Sequence, residues 1–204
     1  MVISKYMKNK NALGLLVAAI GLLMTGNVMT AGASQTADKA PTTETKTAVK
    51  LERALFSEGC FWKVQSIFSK APGVVKTTVG YTGGKMPNPS YKMVCSDTTG
   101  HAETCLVEFD PTKTTYHKLL ETFFSSHDPT TLNSQGPDLG TQYRSVIFYS
   151  TPEQEREAIK VKEQLTKEHK FSSPIVTEIV AAKPFYSAED YHQNYFEKHG
   201  MVCH

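Results

Sequence analysis

The sequence of 204 residues lacks a C-x-x-C motif. Thioredoxin-like exchange proteins carry their reactive thiols at that spacing, and structural zinc sites favour ligand pairs at similarly short spacing. A metal module would have to combine scattered residues, namely Cys95, His101, Cys105, Cys203 and His204, and the adjacent pair at the end is awkward for tetrahedral coordination. The absence therefore argues against both a general thiol–disulfide exchange protein and a zinc module.

The sequence also lacks an apolar run of the roughly 20 residues that a membrane-spanning helix needs. The run near the N-terminus, from Ala12 to Met24, has only about 13. Three lysines precede it, and Ala31-Gly32-Ala33 follows as an A-x-A arrangement. We therefore predict a signal peptide at residues 1–33 and an exported protein, periplasmic or secreted by a bacterium, with no stable membrane insertion after cleavage. A retained membrane anchor is the alternative.

Neither sign of charge is in excess, since 22 basic and 20 acidic side chains give a formal net charge of +2. The charges are mixed along the chain, without a basic stripe that contains interleaved aromatics, so we predict no binding to nucleic acid. Residues 34–50 are rich in Thr, Ala and Lys and contain no aromatic residue, which predicts a flexible linker. The folded part is then residues 51–204, which we expect to form one domain and to be monomeric.

Within this domain, strand patterns and helix patterns alternate. Period-2 or β-branched stretches predict strands near residues 51–58, 74–81, 104–109, 145–150 and 177–182, and helical spacing predicts helices at 60–70, 115–126, 152–167 and 188–199. Residues 85–103 and 127–145 are predicted to be long loops, which in compact domains are usually functional. We expect an α+β fold, a single-domain sandwich of helices packed against a mixed β-sheet with a ferredoxin-like core.

Cys60 lies at the predicted start of a helix, between Gly59 and the pair Phe61-Trp62, which includes the only tryptophan. A helix N-terminus carries unpaired N–H groups and roughly half a positive charge, which stabilise an anion. We therefore predict that the pKa of the Cys60 thiol is lowered and that its thiolate is a nucleophile. By position alone, a small buried hydrophobe is an equally good reading. At least one of the two aromatic residues should flank the thiol.

Further motifs follow Cys60 in one order. They are GCFW at 59–62, GYTGG at 80–84, NPSY at 88–91, VCS at 94–96, TGHAE at 99–103, FDP at 109–111, HDPT at 127–130 and GTQYRS at 140–145. In this order they resemble the A-type peptide methionine sulfoxide reductases, which act on the S epimer of the sulfoxide. The resemblance covers about residues 51–204, and GCFW alone would carry little weight.

The resemblance implies a reaction and a set of roles. Cys60 attacks the sulfur of methionine sulfoxide, releases methionine and becomes a sulfenic acid. Glu103 is the acid, which requires a desolvated carboxyl whose raised pKa keeps it protonated. Tyr91 and Tyr143 donate hydrogen bonds to the sulfoxide oxygen. Taken without the family pattern, Glu103 would read as a solvated surface charge and each tyrosine as a packed aromatic.

The substrate wall and the recycling steps are implied in the same way. Asp138 positions the main chain of the substrate, although a plain turn former would look the same, and Phe61 and Trp62 receive the ε-methyl group. Cys203 resolves the sulfenic acid as a disulfide, which an external thioredoxin-like thiol reductant then reduces. No cofactor or metal is bound in this scheme, and oxidised proteins or peptides are the substrates.

Three positions remain open or depart from the family. Cys105 is predicted to be buried and inert, and the resemblance gives Cys95 no role. Gln65 stands where the family usually has glutamate, and we expect this change to leave activity intact because Glu103 is the acid. Four cysteines in an exported protein would ordinarily suggest two structural disulfides, a reading that conflicts with a reactive thiol.

Overall fold

The computed structural model describes residues 49–201. The predicted signal peptide, nearly all of the predicted linker and Cys203 lie outside this range. Between residues 49 and 201, no helix combines the length and the apolar character that crossing a membrane would require.

The described residues form eight strands, five α-helices and one 3-10 helix. The strands are β1 (Glu52–Glu58), β2 (Val74–Thr82), β3 (Ala102–Phe109), β4 (Ser134–Gln135), β5 (Asp138–Leu139), β6 (Ser145–Tyr149), β7 (Glu178–Ala181) and β8 (Tyr186–Ser187). The helices are α1 (Phe61–Phe68), α2 (Tyr91–Cys95), α3 (Tyr116–Ser126), α4 (Pro152–Lys167) and α5 (Tyr195–Lys198), and the 3-10 helix is Thr141–Tyr143.

Six of the strands form one sheet in the order β7-β6-β1-β3-β2-β8. The succession β1-α1-β2-β3-α3-β6, with the central order β6-β1-β3-β2 and antiparallel neighbours, is the ferredoxin-like arrangement. Strand β7 joins β6 in parallel, so the sheet is mixed. The predicted α+β fold, with helices packed on a mixed sheet, is confirmed.

The main core lies between the sheet and helices α1, α3 and α4. Helix α1 buries Val64 and Phe68 on one face, as its helical spacing predicts. Phe56 of β1 stacks on Phe68 at 5.0 Å between ring centroids and lies 5.3 Å from Phe123 of α3. Burial of each such ring contributes about 2 kcal/mol, so this cluster fixes α1, and the cysteine before it, against the sheet.

The prediction of a helix over residues 188–199 is wrong except for α5. Asn194 takes a left-handed backbone conformation with φ of 54°, which interrupts a right-handed helix. Polar groups at this point of the chain bond to other parts of the fold instead. The Asn194 N–H donates to Gln65 Oε1 at 2.7 Å, and Gln193 Oε1 accepts from the Val79 N–H at 3.0 Å. The predicted loop at 85–103 contains the short helix α2, and the predicted loop at 127–145 contains β4, β5 and the 3-10 helix.

Candidate active site

Cys60 is the N-cap residue of α1, directly after strand β1. The turn between them requires glycine, because Gly59 has φ of 97° and a Cβ there would lie 2.7 Å from Cβ of Gln135. The N–H groups of Trp62 and Lys63 face the Cys60 sulfur and favour its ionised form. The structure therefore places the thiol at a helix N-terminus, as the sequence predicts.

Glu103, the predicted acid, contacts the start of helix α1. Its side chain is buried, with 1% of the residue exposed, and its Oε2 accepts a hydrogen bond of 3.0 Å from the Phe61 N–H. Burial, and to a smaller extent the charge of Asp138, raises the pKa of Glu103 to about 8. The prediction of a raised pKa is confirmed, and at neutral pH the carboxyl carries its proton.

The prediction of a lowered pKa for Cys60 is wrong. Burial of the half-buried thiol and the negative charge of Glu103 raise its pKa to about 11, and they outweigh the two N–H groups of α1. The physical reason is desolvation, which a motif at a helix start does not reveal. The resting site thus holds two protons, one on the thiol and one on the carboxyl.

Two tyrosines and an aspartate complete the group. Tyr91 begins α2, Tyr143 ends the 3-10 helix and Asp138 begins β5. Burial is the largest cause of the raised pKa of both tyrosines, and the charge of Glu103 adds to it. Their hydroxyls therefore remain protonated donors. The charges of Asp138 and Cys60 also raise the pKa of Tyr143, so Tyr143 lies within electrostatic reach of both as well as of Glu103 and Tyr91.

Phe61 and Trp62 differ in their surroundings. Phe61 is 1% exposed and packs with Val79, Tyr81 and Val94, so it forms the back of the site. Trp62 is half-buried, and its indole stacks on Tyr195 with a centroid distance of 3.8 Å and an angle of 8°. The two rings lie 6.4 Å apart between centroids with an angle of 34°, and both contact His192, so they belong to one aromatic cluster.

Sequence reasoning missed two residues of the C-terminal segment. Glu189 accepts hydrogen bonds from the Tyr91 N–H and the Tyr81 hydroxyl, both at 2.9 Å. His192 accepts one from Trp62 Nε1–H at 3.0 Å. Both lie in the stretch that looked like an ordinary amphipathic helix, so no local signal marked them. Phe61 was identified for its ring, whereas its backbone N–H also holds Glu103.

The remaining candidates lie apart from this chemistry or have other partners. Cys105 is fully buried on β3, as predicted, while Cys95 is exposed at the end of α2 next to Tyr91, and both are free thiols like Cys60. His101 accepts from the Gly84 N–H through Nδ1 and contacts the Met86 carbonyl oxygen through Nε2, so both of its nitrogens are engaged. Across residues 49–201 no cluster of three or more potential metal ligands occurs.

A cysteine at a helix start beside a protonated buried carboxyl, on an α+β sandwich, defines a thiol-dependent enzyme of the oxidoreductase class. The family model for peptide methionine sulfoxide reductase matches residues 52–204. A relative from Methanoculleus marisnigri, "Peptide methionine sulfoxide reductase MsrA", is 56% identical over 150 residues, which cover 74% of this chain and 92% of the relative. The chain belongs to this family, and to its A type.

Solved structures agree with this assignment. Reduced Mxr1 from Saccharomyces cerevisiae is 38% identical, with a TM-score of 0.71 over 76% of this chain and 89% of that one. Mxr1 in complex with Trx2 is 26% identical, with a TM-score of 0.51 over 72% of this chain and 85% of that one.

Proposed function

We propose that this reductase acts on methionine-S-sulfoxide, in proteins and also as the free amino acid, and so repairs oxidised proteins. The observation that carries the proposal is the pair of protons in the resting site. Glu103 has a pKa raised to about 8 and can give a proton at neutral pH, and the Cys60 thiol lies within its electrostatic reach. A sulfoxide oxygen must be protonated as its bond to sulfur breaks, which a neutral carboxyl is suited to do.

The first step conserves protons. Glu103 gives its proton to the sulfoxide oxygen while the Cys60 sulfur bonds to the sulfoxide sulfur, and the thiol proton replaces the one that Glu103 gave up. The S–O bond then breaks, the OH group moves to the Cys60 sulfur, and methionine leaves. Cys60 is oxidised by two electrons to the sulfenic acid, and the substrate sulfur is reduced by two.

Substrate binding uses the groups around this pair. Tyr91 and Tyr143 remain protonated and donate hydrogen bonds to the sulfoxide oxygen. These hydrogen bonds become stronger as charge develops on that oxygen. Trp62, with Phe61 behind it, receives the ε-methyl group. The apolar methyl group and the polar oxygen are thus bound by different residues, which distinguishes the two faces of the sulfoxide. Asp138 bonds to the main chain of the substrate. This three-point arrangement is the basis on which we propose selectivity for the S epimer.

Recycling requires a second thiol and an outside reductant. Cys203 attacks the sulfenic acid, so that a Cys60–Cys203 disulfide forms and water leaves. A thioredoxin-like dithiol then reduces this disulfide and becomes oxidised itself. The similarity to the Mxr1 structure in complex with Trx2 supports such a donor. We also propose that residues 1–33 direct export, that residues 34–50 are a linker, and that a monomeric catalytic domain at 51–204 works outside the cytoplasm.

The reaction is tested with purified protein, dithiothreitol and each sulfoxide epimer in turn. We expect methionine from the S epimer only, and no turnover in Cys60→Ser because the hydroxyl cannot accept the oxygen. Cys105→Ala is the matched control, since that buried thiol belongs to the main hydrophobic core rather than to the group around Cys60, and its removal should leave the rate of the folded protein unchanged. Turnover by Cys60→Ser, or equal reduction of the R epimer, would contradict the proposal.

The recycling route is tested in Cys203→Ser. Its first turnover should match that of the parent, measured as one methionine per protein, but thioredoxin-supported cycling should stop because the sulfenic acid finds no second thiol. Undiminished cycling would assign resolution to another cysteine.

A further inference from the structure

The imidazole of His192 lies among three aromatic rings of the site. The residue is 1% exposed, and its ring centroid is 5.5 Å from that of Trp62, 5.1 Å from that of Phe61 and 4.4 Å from that of Tyr91. It therefore separates the residue proposed to receive the methyl group from a residue proposed to bind the oxygen.

The hydrogen bond from Trp62 fixes the tautomer of this imidazole. An indole N–H is a donor only, so His192 Nδ1, which accepts it at 3.0 Å, carries no proton and Nε2 carries the one proton of the neutral ring. Nε2 finds no hydrogen-bond partner among residues 49–201, and Glu189 Oε2 lies 3.9 Å from it. Burial also lowers the pKa of His192, which keeps the ring neutral and Nδ1 able to accept.

Trp62 is held by two restraints of different kinds. The parallel stack on Tyr195, at 3.8 Å and 8°, limits the tilt of the indole but leaves it free to turn within its own plane. The hydrogen bond at Nε1 stops that in-plane rotation, because it fixes one edge of the ring to a buried partner. The orientation of the indole edge therefore depends on His192.

We propose that His192 is a positioning residue, which holds the indole of Trp62 in the orientation that receives the substrate methyl group. The part concerning substrate rests on the function proposed above. The part concerning the indole does not, since it concerns the protein alone.

The test uses the fact that Trp62 is the only tryptophan of the chain, so that fluorescence and near-ultraviolet circular dichroism report one indole. His192→Asn places an amide oxygen at the same number of bonds from Cα as Nδ1, whereas His192→Leu has the same branching and no acceptor. Both variants lose the imidazole, so the difference between them measures the effect of the hydrogen-bond acceptor alone. His117→Leu, a change at a surface histidine of α3, is the control.

In His192→Leu we expect a shifted Trp62 emission and a weaker near-ultraviolet signal, and a KM for methionine sulfoxide raised about fivefold, as one net hydrogen bond would give, with kcat nearly unchanged. His192→Asn should restore most of both, and His117→Leu should resemble the parent. If His192→Leu fails to fold, His192→Phe, which fills the space without an acceptor, takes its place with the same expectations.

Identical behaviour of the Asn and Leu variants, in spectrum and in KM, would overturn the proposal, because the acceptor would then not matter. A spectral difference with an unchanged KM would overturn the link to substrate while the hydrogen bond stood. A parent protein without sulfoxide reductase activity would defeat the proposed function instead, and the spectra would still decide whether His192 fixes the indole.

Discussion

Two opposing influences act on the Cys60 thiol. Helix α1 presents N–H groups to the sulfur, and a short helix end typically stabilises an anion by about 1 kcal/mol or less. A rise of the pKa from 9.0 to about 11 favours the neutral thiol by roughly 3 kcal/mol. Desolvation therefore prevails in the resting protein, and the charge of Glu103 adds to it at the higher pH where both groups ionise. The nucleophile has to be formed when substrate takes the Glu103 proton.

Alkylation of Cys60 tests this balance directly. The thiolate is the reactive form, so the rate of carbamidomethylation at Cys60, followed by mass spectrometry of its peptide, should rise with pH toward a midpoint of about 11. In Glu103→Gln the midpoint should move down, because the carboxylate charge that raises the pKa is removed. The amide oxygen of Gln can still accept the Phe61 N–H, so the helix start stays in place.

A Glu103→Gln profile that coincides with that of the parent would contradict this account and leave burial and the charge of Asp138 as the causes. The exposed Cys95, followed in the same digests, serves as the internal control for changes in reagent or buffer.

For single residues, the motifs predicted which side chains meet at the candidate site better than they predicted the protonation of Cys60. Cys60 and Glu103 could be named because GCFW and TGHAE stand in the family order. The direction of the Cys60 pKa shift could not be predicted, because burial results from the packing of residues distant in sequence. His192 could not be found either, since its partner Trp62 is 130 residues away along the chain.

The C-terminal segment that precedes α5 is held by side chains rather than by helical hydrogen bonds. Gln193 accepts from the Val79 N–H through Oε1 at 3.0 Å and donates to the Val79 carbonyl oxygen through Nε2 at 2.9 Å, so this side chain fixes the segment to β2. The sequence pattern favoured a helix because its apolar residues have helical spacing. Tertiary partners for its polar residues decided otherwise.

The loop after α2 positions the 3-10 helix that carries Tyr143. Asp97 has φ of 59°, and its Oδ1 accepts from the Thr141 N–H at 3.1 Å and from the Thr141 hydroxyl. Asp97→Gly removes these acceptors without backbone strain, whereas Asp97→Asn keeps an oxygen and tolerates the conformation. We expect Asp97→Gly to lower kcat/KM about fivefold, as loss of one or two such bonds would give, and Asp97→Asn to stay near the parent.

Steady-state kinetics on the two variants, with urea unfolding to confirm equal folding, checks this expectation. Parent-like kinetics in Asp97→Gly would show that Arg144, which donates to the carbonyl oxygens of Thr141 at 2.7 Å and Gly100 at 3.1 Å, is enough to hold the 3-10 helix.

For the whole molecule, antiparallel pairing explains why distant motifs meet. Phe56 of β1 lies opposite Cys105 of β3, so the end of β1 that leads into Cys60 and the start of β3 that carries Glu103 lie at the same edge of the sheet. The alternation of strands and helices was enough to predict the sandwich. The strand order was not contained in that alternation, nor was β8, whose two residues have no pattern of their own.

The buried Glu103 also makes the stability of the fold depend on pH. The carboxyl has an ordinary pKa of 4.5 and a folded-state pKa of about 8, so between these values the folded protein holds a proton that the unfolded chain has lost. Its contribution is therefore fully present below pH 4.5 and is lost as pH rises through 8, for a total of at most about 5 kcal/mol. Burial of Glu58, whose pKa is also raised, acts in the same direction.

Comparison of the parent with Glu103→Gln separates these contributions, because Glu58 is present in both proteins and cancels. Urea unfolding under reducing conditions should show that the free energy of unfolding of Glu103→Gln gains on that of the parent from pH 4.5 to 8 and then runs parallel to it. Glu52→Gln, a change at an exposed residue of β1, should show no such gain. Parallel curves for the parent and Glu103→Gln across the whole range would mean that Glu103 is ionised in the folded protein, and the acid proposed for the sulfoxide oxygen would have to be sought elsewhere.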